Sequence, residues 1–134
     1  MKIPILKLKD ILLTSIQVDL TDQEAMEFQN GVLQKVTETE ARGMVIDITA
    51  LDVVDSYMAK VLNDTATMVR LLGAEVVISG MQPSVALTLI EMGRELIGVQ
   101  TALNLELGLE KVQQLVTAKR DASSDENSPE DGHE

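Results

Sequence analysis

Two short apolar runs, Met44 to Thr49 (MVIDIT) and Glu75 to Ser79 (EVVIS), do most to limit what this chain can become. Each is shorter than a typical helix, rich in β-branched residues, and apolar on both faces of an extended strand. A strand of that kind has to be covered on both sides, which is the situation of a central strand in a parallel sheet. Each run is followed by a segment with helical spacing. After the first, Met58, Val61, Leu62, Thr65, Met68, Val69 and Leu72 trace a wide stripe from about Asp55-Ser56 to Gly73. After the second, Gly80-Met81-Gln82-Pro83 turns the chain and puts proline at or near the first helical position, where its missing N–H costs little; Val85, Leu89 and Met92 then line a helix that stops around Gly93.

The flanking segments complete the pattern. Ile3 to Leu8 and Ile11 to Val18 are β-prone runs separated by Lys9-Asp10, which predicts an opening hairpin. Thr21 or Asp22 offers an N-cap with Glu24 close behind, and Ala25, Phe28, Val32 and Val36 recur at helical spacing up to Arg42-Gly43. Val99 to Leu103 predicts a short edge strand, and Leu109, Val112 and Val116 mark a final helix. The expected fold class is α/β: one domain with a mixed β-sheet, antiparallel at the opening hairpin and parallel in the centre, and about four α-helices.

The chain has 134 residues, the size of one domain with one core. It contains only two aromatics, Phe28 and Tyr57, and no cysteine, so the interior must be built from aliphatic side chains and methionine. Composition changes sharply near Ala118. The residues that follow hold no apolar side chain larger than alanine, and they carry two basic and six acidic residues together with the single histidine. Such a segment cannot bury enough surface to offset the entropy of ordering. We therefore expect residues 1–117 to form the domain and residues 118–134 to be a disordered acidic tail.

The net charge of −11 excludes several classes of partner. Neutralising phosphates needs clustered Lys and Arg, and stacking bases needs aromatics, so nucleic acid is not an expected partner. Neither is a membrane: the field repels anionic lipid, and no apolar run approaches the roughly 18 to 20 residues of a span. The N-terminus has charge within its first apolar stretch and no cleavage-site pattern of a signal peptide, so a cytoplasmic protein is expected.

Catalytic signatures are sparse. With the one histidine in the tail, a Ser-His-Asp arrangement is not expected, and phosphate-cradling glycine loops are absent. No cofactor is expected. Asp47, Asp52 and Asp55 fall at the end of the first central strand and in the loop after it, where open α/β sheets bind ligands. Three carboxylates there are the donors of a Mg²⁺ site in an enzyme-like reading; in the plainer one, Asp47 ends the strand while Asp52 and Asp55 solvate and cap the next helix. Ser56 likewise has two readings: an N-cap, or a phosphoacceptor whose phosphate would meet the free N–H groups and positive end of the helix. Against the second, each nearby carboxylate costs roughly 3 kcal/mol at about 6 Å and an effective dielectric of 20, and below 1 kcal/mol in full solvent. The dipole contributes only about 0.3 to 1 kcal/mol, so a phosphate here disturbs an acidic docking surface more readily than it locks a new internal structure.

Taken in order, Asp47-x-Thr49, Val53-Val54-Asp55-Ser56-Tyr57-x-Ala59-Lys60-Val61-Leu62, and Gly73-Ala74-x-Val76-Val77-x-Ser79-Gly80-x-Gln82-Pro83-x-Val85-Ala86 with Leu89, Glu91 and Gly93 resemble STAS domains of the anti-anti-sigma factor type. The opening Ile3-Pro4-Ile5-Leu6-Lys7-Leu8 and Leu13 to Gln17 (LTSIQ) narrow the resemblance to RsbS-like stressosome scaffolds, over residues 2 to 116. The resemblance implies a non-catalytic stress-signalling scaffold that co-assembles with RsbR-like STAS sensor paralogues and sequesters an RsbT-like serine/threonine kinase. It implies Ser56 as the residue that kinase phosphorylates on release, with a phosphatase resetting it. The threonine phosphorylated before the first helix in RsbR-like paralogues corresponds to Asp22 here, so one regulatory site is expected. Asp52, Asp55, Tyr57 and Lys60 are the expected kinase-docking residues, in the Asp52 to Tyr57 loop and the first turn of a helix whose outer face carries Lys60, Asn63, Asp64, Thr67 and Arg70. A stand-alone STAS antagonist of an anti-sigma factor, and the Mg²⁺ enzyme using Asp47, Asp52 and Asp55, are the alternatives.

Overall fold

A computed structural model describes residues 3–94, 96 and 98–126 of the chain. The chain opens with a hairpin of β1 (Ile5–Leu8) and β2 (Ile11–Ser15), paired antiparallel with Leu8 opposite Ile11. Lys9 makes the tight reversal with φ of 59°. Helix α1 (Asp22–Thr39) leads to β3 (Gly43–Asp47), α2 (Ser56–Leu71) to β4 (Glu75–Ser79), and α3 (Pro83–Glu91) to β5 (Gln100–Ala102). Helix α4 (Leu105–Glu126) closes the described chain.

The five strands lie side by side in chain order, and β2 through β5 are parallel. Because each right-handed crossover advances the sheet by one strand in the same direction, α1, α2 and α3 fall on one face. Strand alternation then divides the core in two. Leu12, Met44, Ile46, Val76 and Ile78 pack with Phe28, Val32, Leu62, Val69 and Leu89 under these three helices. Ile11, Val45 and Val77 face the other way, onto Val112 and Val116 of α4. Both central strands are buried along their whole length, as their apolar patterning requires. A Cβ on Gly43 would lie 2.8 Å from Val112 Cγ2, and one on Gly108 would lie 2.9 Å from Ser79 Cβ, so two glycines let α4 sit this close to the sheet.

Helix α1 starts with a capping box: Thr21 Oγ1 accepts from the Glu24 amide at 3.1 Å, and Glu24 Oε1 accepts from the Thr21 amide at 2.9 Å. The Thr21 amide, donating to it, holds the Glu24 carboxyl below the usual carboxylate range. Asp22 is the first helical residue and is exposed.

One boundary needs correcting. The tail expected from residue 118 is helical as far as Glu126, as a continuation of α4. Extending a helix already nucleated costs little, and this stretch has no proline or glycine to stop it. Lys119 also anchors the extension, donating to Gly73 O at 2.8 Å and pairing with Glu75 at 3.7 Å. Residues 127–134, including the single histidine, lie outside the described residues.

Candidate functional site

The segment between β3 and α2 is a fixed loop. Leu51 and Val54 are buried and anchor it, while Asp52, Val53 and Asp55 between and after them are exposed. The Leu51 amide donates to Ile48 O at 3.0 Å, closing a turn. Two side chains at the start of α3 hold the loop from the side: Gln82 Nε2 donates to Thr49 O at 2.8 Å, and Ser84 Oγ donates to Asp52 O. Gly80, with φ of +77°, makes room for this arrangement, since a Cβ there would overlap the Thr49 side chain. These three residues are absent from the expected site. The only sequence signal for them is the Gly80-Met81-Gln82-Pro83 turn, which reads as a helix start and not as a clasp on another loop.

The three carboxylates do not come together. Asp47 is 5% exposed and accepts hydrogen bonds from Ser79 Oγ at 2.8 Å, Thr49 Oγ1 at 2.9 Å and Ser15 Oγ at 3.3 Å. Its neighbours Ile46 and Ile48 point under α1 to α3, so the pleat turns Asp47 toward the opposite face, away from Asp52 and Asp55. No group of three Asp, Glu, His or Cys side chains able to hold a metal is present among the described residues. The Mg²⁺ reading thus loses its donor set: Asp47 is a hydroxyl-satisfied tie between β2, β3 and β4.

Asp55, and not Ser56, caps α2. Its backbone is extended (φ −84°, ψ 176°), and its Oδ1 accepts from the Met58 amide at 2.8 Å. Ser56 occupies the first helical position, is exposed, and its hydroxyl makes no hydrogen bond among the described residues. The capping reading of Ser56 is therefore corrected, and the hydroxyl is left available for chemistry.

The other expected docking residues differ in what they can offer. Asp52 is exposed, although its carbonyl is taken by Ser84. Tyr57 is half-buried and packs against the main core, so only part of its ring is presented. Lys60 is exposed and pairs along its own helix with Asp64 at 2.7 Å; that hydrogen bond from the ammonium holds the Asp64 carboxyl below its usual range. Asn63, expected on the outer face, is buried, because α2 is covered by α1 on one flank and α3 on the other and exposes a narrower strip than its apolar stripe implied. Beside the loop is a cleft of about 250 Å³ lined by Val18, Asp19, Leu20, Leu51, Val53 and Asp55, among others. A larger groove of about 590 Å³, between Arg42, Leu72 and Lys119, lies at the opposite end of the strands and does not touch Ser56.

Residues 2–106 match the STAS domain family. The chain belongs to the STAS family. A serine-to-glutamate variant of RsbS from Moorella thermoacetica superposes on this STAS domain with a TM-score of 0.79 at 41% identity, covering 87% of this chain and 99% of that one. A chain of the solved stressosome architecture, described as a signal integration and transduction hub, superposes with a TM-score of 0.75 at 44% identity, covering 84% and 97% respectively. Among curated relatives, the RsbT co-antagonist protein RsbRA of Bacillus subtilis is 28% identical over 97 residues, which is 72% of this chain but 35% of RsbRA. The STAS domain described here thus spans about a third of that relative. It is an RsbS-like STAS protein in fold and sequence, and none of its described helices is long and apolar enough to cross a membrane.

Proposed function

We propose that this protein is a non-catalytic scaffold subunit of a stressosome-type assembly. It co-assembles with RsbR-like STAS paralogues, holds an RsbT-type serine/threonine kinase, and releases it when Ser56 is phosphorylated. One observation carries this reading: Ser56 is exposed at the first position of α2 with an unengaged hydroxyl, because Asp55 has taken over the cap. Likeness to RsbS, to a stressosome chain and to an RsbT co-antagonist supports the choice of partners.

In the proposed step, Ser56 Oγ attacks the γ-phosphorus of the kinase's ATP. The new O–P bond forms as ADP leaves, and the hydroxyl proton passes to a base of the kinase. The product adds a charge of about −1.5 to −2 at the contact surface. That charge faces the nucleotide phosphates in the kinase's own site and adds bulk between seated surfaces, so the complex loosens. A phosphatase restores the hydroxyl by hydrolysis. Mass spectrometry after incubation with the kinase and ATP is expected to place the phosphate on Ser56. Ser56→Ala is expected to retain the kinase in the presence of ATP, and Ser56→Asp to bind it more weakly. Equal affinity of all three forms, or phosphate found only at Ser123, Ser124 or Ser128, refutes the reading. Light scattering tests the assembly, since a scaffold forms particles far larger than 14.6 kDa, with or without its paralogue.

A further inference from the structure

Val53 is 73% exposed at the crest of the loop that carries Ser56, although the buried residues Leu51 and Val54 on either side show that the loop can hide apolar side chains. Val18, 42% exposed on the segment between β2 and α1, lines the same cleft, whose floor includes Leu20, Val54 and Met58. The two valines come from separate segments, so neither is part of a single stripe visible in the sequence. Asp19 and Asp55 are among the residues lining this cleft, Asp52 stands next to Val53 in the chain, and no lysine, arginine or histidine is among the lining residues. The loop is also already ordered: Gln82 and Ser84 hold its carbonyls, and Asp55 is engaged in the cap. Little conformational entropy remains to be lost when a partner seats on it.

From this we infer that Val53 and Val18 form the apolar anchor on which the Ser56 kinase docks, with Asp19 and Asp52 as its charged rim. The inference rests on the kinase reading above and goes beyond it in naming the contact: the partner presents an apolar socket bordered by lysine or arginine. An apolar centre fully desolvated on docking sets the dissociation rate and most of the affinity. Rim charges of opposite sign steer encounter and are sensitive to salt. Val53 precedes the acceptor by three residues, so a kinase gripping it holds its active site over Ser56. Phosphorylation then forces the kinase away from the same surface.

The test uses the full chain immobilised on a biosensor, with a purified RsbT-type kinase as the analyte. Val53→Ser and Val18→Ser are each expected to weaken binding by about 10-fold or more, mainly through faster dissociation, to a similar extent at low and high salt. Asp19→Asn with Asp52→Asn is expected to slow association at low salt and to have little effect at high salt. Leu71→Ser, on a residue 81% exposed at the far end of α2, is the control and is expected to leave binding unchanged. Binding by the parent with no loss in Val53→Ser overturns the anchor alone and leaves the kinase reading standing. An equal loss in Leu71→Ser overturns the anchor as well, as does a Val53→Ser chain whose particle size collapses while kinase affinity holds, since the patch then serves a second copy. No binding by the parent overturns the kinase reading and the anchor together.

Discussion

If Asp55 rather than Ser56 secures the start of α2, removing its carboxylate should cost the stability of one helix cap, and keeping an acceptor in place should restore it. The hydrogen bond concerned is Met58 N–H to Asp55 Oδ1 at 2.8 Å. Replacing an N-cap acceptor by alanine costs about 1 kcal/mol, within roughly 0.5 to 2. At about 2.1 cal/mol/K per residue, a chain of 134 residues has an unfolding entropy of about 0.28 kcal/mol/K near its midpoint. Asp55→Ala is therefore expected to lower Tm by about 4 °C, within roughly 2 to 7 °C. Asp55→Asn keeps the acceptor and loses only the charge at the positive end of the helix, worth about 0.3 to 1 kcal/mol, so it should fall between Asp55→Ala and the parent. Calorimetry gives the Tm values, and amide exchange at Met58 reports the bond itself, accelerated in Asp55→Ala and protected in Asp55→Asn. Equal Tm for the two variants, or unchanged protection of the Met58 amide in Asp55→Ala, would refute the argument. Ser56→Ala supplies the contrast: its hydroxyl caps nothing, so its Tm should match the parent.

Three further outcomes follow from the packing and the ion pairs. Gly80→Ala must adopt a φ of +77° and displace Thr49, so it should cost more than about 2 kcal/mol in urea unfolding, the left-handed backbone alone accounting for roughly 1 to 2; a loss under about 1 kcal/mol would show that the loop yields easily. Lys60→Ala should raise the Asp64 carboxyl toward its ordinary value of 3.8 in a carbon-13 titration. Because that carboxyl is depressed in the folded chain, the pair's contribution of about 0.5 kcal/mol or less is present above the unfolded value and is lost as pH falls through the folded one, below about pH 4. Ending the chain after Thr117 removes Lys119 from Gly73 O and Glu75 and should lower stability by about 0.5 to 1.5 kcal/mol; an unchanged urea midpoint would mean that the extension of α4 contributes nothing.

Patterns that repeat along the backbone were legible, and choices between neighbouring side chains were not. Met44 to Thr49 and Glu75 to Ser79 had apolar residues on both faces, and the two fully buried strands, Gly43–Asp47 and Glu75–Ser79, fall on them; Pro83 opened α3 at its first position. Asp55 and Ser56 are both good caps on paper, and only the backbone geometry selects the first. Asp47, Asp52 and Asp55 are close in the chain, but the pleat of β3 and the turn after Ile48 send them to different surroundings. Residues 118–126 looked too polar to order, because composition measures what a segment can bury and not what it can inherit from the helix before it. The contacts of Gln82 and Ser84 with the loop after β3 span more than thirty positions of chain and have no local signature.

The side-by-side order of the strands has a consequence for how far apart the two ends of the domain lie. Ser56 sits beyond the C-terminal ends of strands that are five residues long, so the sheet separates it from the groove at their other ends by about 17 Å. Through the solvent around the domain that is about two Debye lengths at physiological ionic strength, enough for mobile ions to reduce a surface charge's influence to roughly a seventh. The sheet works as a spacer: charges placed at its two ends act on each other only weakly through the surrounding solvent.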